Sequence, residues 1–174
     1  MEMKKSKIAI NKLLILYILE CANTKVSDLR LIQLCNELSL MGYFDLNSAL
    51  HDLVENHLIE QRNSVNGTFY EISDVGQTTL EFFHKEILYS KRTKIASYCE
   101  EHREDIRMDS QLYTEYMRIA DDKYRVNLRL MENDIIVFEV SFFANSKEEA
   151  DRYCSKWRKN ALAVYAKTFE TLLD

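Results

Sequence analysis

The stretch from Leu46 to Gly76 constrains the fold more than any other part of the chain. Leu46, Ala49, Leu50, Leu53 and Val54 recur at helical spacing, which leaves Asn47, Ser48, His51, Asp52 and Glu55 on the opposite, solvent face. Leu58 to Arg62 and Thr68 to Ile72 read as two strands joined through Asn66-Gly67. Asp45 is placed to cap the helix before this hairpin and Ser73 the helix after it. A helix that runs directly into a tight hairpin, and out of it into another helix, leaves few architectures open.

The segments upstream continue the helical pattern. Ser6 to Cys21 predicts a first helix whose apolar residues Ile8, Ile10, Leu13, Leu14, Ile15, Leu16, Ile18 and Leu19 surround it almost completely. A helix apolar all round must be covered on both sides. One side belongs in the N-terminal core, and the other is expected to need a second domain or a second subunit. Ser27 caps a second helix bearing Leu31, Leu34, Cys35 and Leu38. The helix after Ser73 carries Val75, Leu80, Phe83 and Ile87. Proline is absent and only three glycines occur, so long helices are favoured and most phosphate-cradling motifs are removed.

Beyond these elements the pattern changes twice. Residues 88–107 read as one charged connector helix with Ile95, Tyr98, Cys99 and His102 on a single face. Then Tyr124, Val126, Leu128 and Leu130 alternate with Arg125, Asn127 and Arg129, the signature of a strand with one buried face, flanked by strands over 113–120 and 135–143. A two-residue turn at Asp121-Asp122 would pair Ile119 with Tyr124 and Met117 with Val126. A three-residue turn at Glu132-Asn133-Asp134 would pair Leu130 with Ile136, Leu128 with Phe138, Val126 with Val140 and Tyr124 with Phe142, keeping apolar residues together. Ser146 and Glu149 form a capping box for a last helix, whose stripe of Ala150, Tyr153, Cys154, Trp157, Ala161, Val164, Tyr165, Thr168 and Leu172 extends past the reach of such strands. The chain is therefore expected to be α+β, with a helical and hairpin domain over 1–87, the connector over 88–107, and a three-stranded antiparallel sheet backed by one long helix over 108–174.

Residues 45 to 76 resemble the Leu-x-x-Leu-x-x-x-Gly-Leu-Ile and Tyr-x-Ile-Ser/Thr-x-x-Gly pattern of bacterial winged-helix regulators, through Leu50, Leu53, Leu58-Ile59, Tyr70, Ile72-Ser73 and Gly76. More loosely, nearly the whole chain is similar to a bacterial, regulator-like family known only as domain of unknown function 4364. His57 stands where that pattern has Gly, so Asn56 or His57 must take the left-handed helix-end conformation. The resemblance implies a winged helix-turn-helix at the N-terminus and a DNA-binding regulator of transcription.

The residues sharpen that expectation and set it against a rival. Base edges in the major groove would be read by Asn47, Ser48 and His51. Phosphates would be met by Lys4, Lys5, Lys7, Lys25, Arg30, Arg62, Lys91, Arg92 and Lys94. The formal charge is -5, however, and residues 1–87 hold 8 Lys and Arg against 12 Asp and Glu, which is net -4. The helix meant for the groove contains no Lys or Arg, which keeps alive the alternative of a winged-helix interaction module that no longer binds DNA and docks on protein.

Elsewhere, Tyr116, Arg118, Arg125 and Arg129 are expected on one outer sheet face, where guanidinium groups could hold a small anionic effector. Ala161, Val164, Tyr165 and Leu172 are expected at or near a homodimer interface. Cys21, Cys35, Cys99 and Cys154 lack zinc spacing and read as reduced core residues, so neither metal nor cofactor is expected. No nucleophile elbow, P-loop, dinucleotide fingerprint or zinc-protease helix is present, and no catalytic residue is assigned. Without a segment apolar enough to span a bilayer or serve as a signal, a cytoplasmic, non-membrane protein is expected.

Overall fold

A computed structural model describes residues 2–64, 67–132 and 135–173, with the side chains of residues 2–6 and of Ser64 set aside. Among these residues the chain is a mixed α+β protein with seven α-helices, one 3-10 turn and two three-stranded antiparallel sheets. It divides into two compact units, Met1–Asp109 and Ser110–Asp174. No helix among the described residues is long and apolar enough to cross a membrane.

The first unit contains α1 (Glu2–Ala22), β1 (Val26–Ser27), α2 (Asp28–Glu37), α3 (Tyr43–Glu55), β2 (Ile59–Ser64), β3 (Gly67–Ile72) and α4 (Asp74–Phe83). After a 3-10 turn over His84–Glu86 come α5 (Tyr89–Glu101) and α6 (Arg103–Gln111), the latter ending across the unit boundary. The segment read as one connector helix is thus two helices, parted at His102. Their Ile95, Tyr98, Cys99 and Ile106 are buried in the same core as α1. This corrects the expectation for α1: it packs against α3, α4 and α5 of its own unit, so neither a second domain nor a second subunit is needed to cover it.

Local chemistry accounts for the helix ends. Ser27 and Ser73 accept hydrogen bonds from the Arg30 and Gly76 N–H groups and so cap α2 and α4. The third helix starts earlier than expected: Gly42, in extended conformation, is its N-cap, and Asp45 lies inside the first turn. At their C-termini α2 and α3 close alike. Ser39 and His57 take left-handed conformations at φ 50 and φ 57, while the Leu40 and Leu58 N–H groups donate back to the Cys35 and Leu53 carbonyls. With so few glycines, the chain turns on polar residues instead.

Gly76 is different, because here no side chain fits. A Cβ at this position would stand 2.0 Å from the Leu58 carbonyl oxygen, so the start of α4 can lie against the entrance to β2 only as glycine. Leu80 and Ile87 are buried as expected, whereas Val75 and Phe83 are exposed. The sheet runs β1-β3-β2, with Val26 opposite Tyr70 and Ile59 opposite Ile72.

The second unit contains β4 (Leu112–Ala120), β5 (Lys123–Glu132), β6 (Ile135–Ala144) and α7 (Lys147–Leu173), with sheet order β4-β5-β6. Val126, Leu128 and Leu130 are buried on the α7 face, as their alternation requires. Trp157 seats the helix, stacking on Phe138 and donating from Nε1 to the Arg129 carbonyl at 3.2 Å. The capping box forms with one change: Ser146 accepts from the Glu149 N–H, but the Glu149 carboxylate reaches back to the Asn145 N–H.

Both hairpin registers differ from expectation, and the cause is one extra residue in each. β5 pairs Leu130 with Phe138, Leu128 with Val140, Val126 with Phe142 and Tyr124 with Ala144, while near the turn Glu132 opposes Ile135 and Met131 opposes Ile136. Of the three expected turn residues, Asn133 and Asp134 lie outside the described residues. Val137 is left unpaired, so a connection of even length still returns apolar side chains to the α7 face. In the other hairpin Ala120 does oppose Lys123 across Asp121-Asp122, but Ile119 is the extra residue. Thr114, Tyr116 and Arg118 therefore oppose Leu128, Val126 and Tyr124, whereas Met117 and Ile119 were the expected partners.

Candidate functional site

The solvent face of α3 is the candidate surface of the first unit. Asn47, Ser48 and His51 are exposed along it. Asn47 is held by its Nδ2 donating to the Tyr43 carbonyl at 3.1 Å, and His51 Nδ1 lies 3.6 Å from the Glu55 carboxylate. Of the two acids that would meet phosphates unfavourably, Asp52 is paired from α1 and, among the described residues, Glu55 is not, while Asp45 at the start of α3 is paired as well. Lys7 reaches Asp45 at 3.0 Å, and Lys12 reaches Asp52 at 2.8 Å. The bond and charge of Lys12 hold the Asp52 carboxyl below its ordinary range. Both pairs are open to water and exchangeable, so a phosphate could compete for either lysine.

Lys12 was missed from sequence because it lies inside the apolar run of α1. Two aromatics were missed as well: Tyr43 and Phe44 form an edge-to-face pair at the start of α3, with Phe44 87% exposed. They escaped notice because the helix was expected to begin only after them. His51, Asp52 and Glu55 each bring one donor atom within 4.8 Å of the others. Asp52 already bonds Lys12 and the group is open to solvent, so this spacing assigns no metal.

The other expected phosphate contacts divide by environment. Lys4 and Lys5 have side chains outside the described residues. Arg62 is exposed on β2 beside Glu60, Lys25 is half-buried, and Lys94 is exposed on α5. Lys91 and Arg92 are half-buried, with the Arg92 guanidinium 5.7 Å from the Tyr89 ring centre. Arg30 is a correction. Its side chain is only 13% exposed, and its Nε and Nη2 donate to the two Asp109 oxygens at 2.8 and 3.3 Å. This residue ties α2 to α6 and cannot serve as a phosphate contact. Sequence could not reveal the pair, whose members are 79 residues apart.

The chain belongs to the family described as domain of unknown function DUF4364. That family's model matches residues 11–172, which span both units. No curated protein and no solved structure matches the chain significantly.

In the second unit of this family member the expected effector face does not assemble. The extra residue at Ile119 turns Tyr116 and Arg118 to the α7 side, away from Arg125 and Arg129. Arg129 on the outer face is already neutralised, with Glu139 at 2.8 Å and Glu115 at 4.0 Å. Glu115 also accepts from Asn127 and from the Tyr113 hydroxyl, and these bonds hold its carboxyl below the ordinary range. Arg118 pairs with Asp121. What the register creates instead is a polar cleft of ≈ 400 Å³ between β4 and α7, lined by Thr114, Tyr116, Asp151, Cys154, Ser155 and Arg158.

Among the expected dimer residues, Ala161 is buried against the sheet of its own unit, and Tyr165 packs on Phe138 and Phe169. Ala161 is thus a core residue, while Tyr165 stays half-buried. Val164 and Leu172 are exposed, the latter 74%. The cysteines are free; burial pushes the Cys35 and Cys99 thiols up to about 12, which suits inert core residues.

Proposed function

We infer that the first unit is a winged helix-turn-helix and that the protein is a homodimeric DNA-binding regulator of transcription. One observation carries this reading: the order α1-β1-α2-α3-β2-β3, in which β1 joins the hairpin as a third strand while α3 keeps Asn47, Ser48 and His51 exposed. In such a layout α3 enters the major groove, the β2–β3 hairpin lies along the backbone with Arg62, and Lys7 and Lys12 exchange their carboxylates for phosphates. The second unit serves dimerisation.

The test is fluorescence anisotropy with a mixed-sequence duplex. Phosphate contacts by a few lysines require the affinity to fall at least tenfold between about 50 mM and about 200 mM salt. Asp52→Lys tightens this binding, because it removes a negative charge and frees Lys12. Asn47→Ala with His51→Ala weakens binding to a selected site and leaves the non-specific affinity unchanged. Absence of salt-dependent binding would remove the reading. It would leave the second one, a winged helix that docks on protein, which the exposed Tyr43–Phe44 pair and the acid-rich α3 favour.

A further inference from the structure

The two edges of the second unit's sheet are unlike. β4 carries Glu115 and Arg118, is interrupted by the extra residue at Ile119, and borders the polar cleft beneath α7. β6 reads Ile135-Ile136-Val137-Phe138-Glu139-Val140-Ser141-Phe142-Phe143-Ala144, and its one charged side chain is turned across the sheet to Arg129. No lysine or proline guards it, although a bare apolar edge is what soluble proteins ordinarily avoid. From Phe138 to Ala144 the ladder to β5 is regular, so seven consecutive residues offer a straight outer edge.

Beside that edge the cover is incomplete. Phe138, Val140 and Phe142 point to the α7 side yet are only half-buried, while Ile135, Ile136, Val137 and Phe143 are exposed. The last turns of α7 add Leu162, Phe169, Leu172 and Leu173, all exposed. Tyr165 and Phe169 pack on Phe138, so the helix end and the strand edge form one continuous surface.

We propose that β6 pairs antiparallel with β6 of a second copy, and that the α7 end of each copy covers the half-buried Phe138, Val140 and Phe142 row of the other. The inference rests on the homodimer reading and names its surface. A second copy fits because the unit holds both halves of the contact, an open edge and an overhanging apolar helix, as a two-fold interface requires. The charges are compatible: Lys167 and Glu170, exposed on the overhang, are of opposite sign, so two α7 ends crossing antiparallel near Thr168 can set each lysine against the other's glutamate.

The experiment has two arms, both on the full chain. Light scattering at tens of micromolar establishes the mass, and a cysteine scan places Ser141→Cys, Phe143→Cys and Val137→Cys one at a time along β6, with the unmodified chain as the control for its own four thiols. Under mild oxidation, strands paired about a two-fold axis cross-link strongly at one position and little two residues away, where the two copies of a residue stand about 13 Å apart. Leu172→Glu with Leu173→Glu, at surface positions that leave the fold intact, weakens the dimer at least tenfold. A monomeric wild type overturns the homodimer reading and this inference together. A dimer that neither cross-links through β6 above the control nor responds to the α7 substitutions overturns this inference alone.

Discussion

The two longest helices, α1 with 21 residues and α7 with 27, solve the burial problem in opposite ways. Leu14, Ile15, Leu16, Ile18 and Leu19 are all buried, so the middle of α1 is enclosed by α3, α4 and α5 and forms the core of its unit. Along α7 only Ala150, Trp157 and Ala161 are buried, and the helix end stands free of the sheet. An apolar residue on α1 therefore reports on folding, whereas an apolar residue at the end of α7 reports on what the protein meets. A long apolar stripe is evidence of a partner only after every neighbour in the same unit has been counted.

Substitutions can break this contrast, and the largest effect belongs to α1. Ile18→Ala empties a fully enclosed site and costs about 2 to 5 kcal/mol in urea denaturation followed by circular dichroism. A cost below about 1 kcal/mol would mean that α1 is not the enclosed helix described above. Next comes the clamp at the edge of the same core. Arg30→Ala leaves the part-buried Asp109 without its partner and lowers the stability of the first unit by about 2 kcal/mol. If Arg30 acted only as a surface cation, the loss would fall within ~0.5 kcal/mol.

A smaller effect, of opposite sign, is expected where α3 ends. His57→Gly relieves a left-handed non-glycine residue and stabilises the unit by up to about 1 kcal/mol, less the entropy that glycine adds to the unfolded chain. At the far end of α7, Leu172→Ala changes the stability of the isolated protomer by less than ~0.5 kcal/mol, measured at a concentration below association.

Least of all is the pH response of the outer sheet face. Glu115, held below its ordinary value of 4.5 by Tyr113 and Asn127, contributes stability that is present above that value and lost as pH falls through its lower, folded value. Glu115→Gln flattens that acid limb for the second unit, read through the Trp157 fluorescence. An unchanged limb would place the acid sensitivity elsewhere.

Much of this could be read directly from the chain. The Ser27 and Ser73 caps, the alternation of β5, the capping residues of α7 and the helix-hairpin-helix grammar from Leu46 to Gly76 all depend on residues within a few positions of one another. Periodicity and side-chain capping are local, and they survive whatever the rest of the chain does. The inward face of β5 and, from Phe138 onward, that of β6 were legible for the same reason. The strand pairing was not: Ile119 and Val137 are unpaired without any glycine to mark them, and each moves its register, Val137 keeping Phe138, Val140 and Phe142 on the α7 face and Ile119 turning Met117 away from it. That single residue on β4 separates Tyr116 and Arg118 from Arg125 and Arg129.

The chain alone thus determined most of its elements, the caps at Ser27, Ser73 and Ser146 and the buried face of β5, because these follow from side-chain chemistry over one or two turns. Only the tertiary structure decided that α5 covers α1, that Arg30 belongs to Asp109 rather than to solvent, and that Lys7 and Lys12 pair with Asp45 and Asp52 of α3. Contacts between distant residues depend on how helices stack and where strands slip, and no local pattern records either. For that reason the lysine pairs beside α3 and the open β6 edge became visible only in three dimensions.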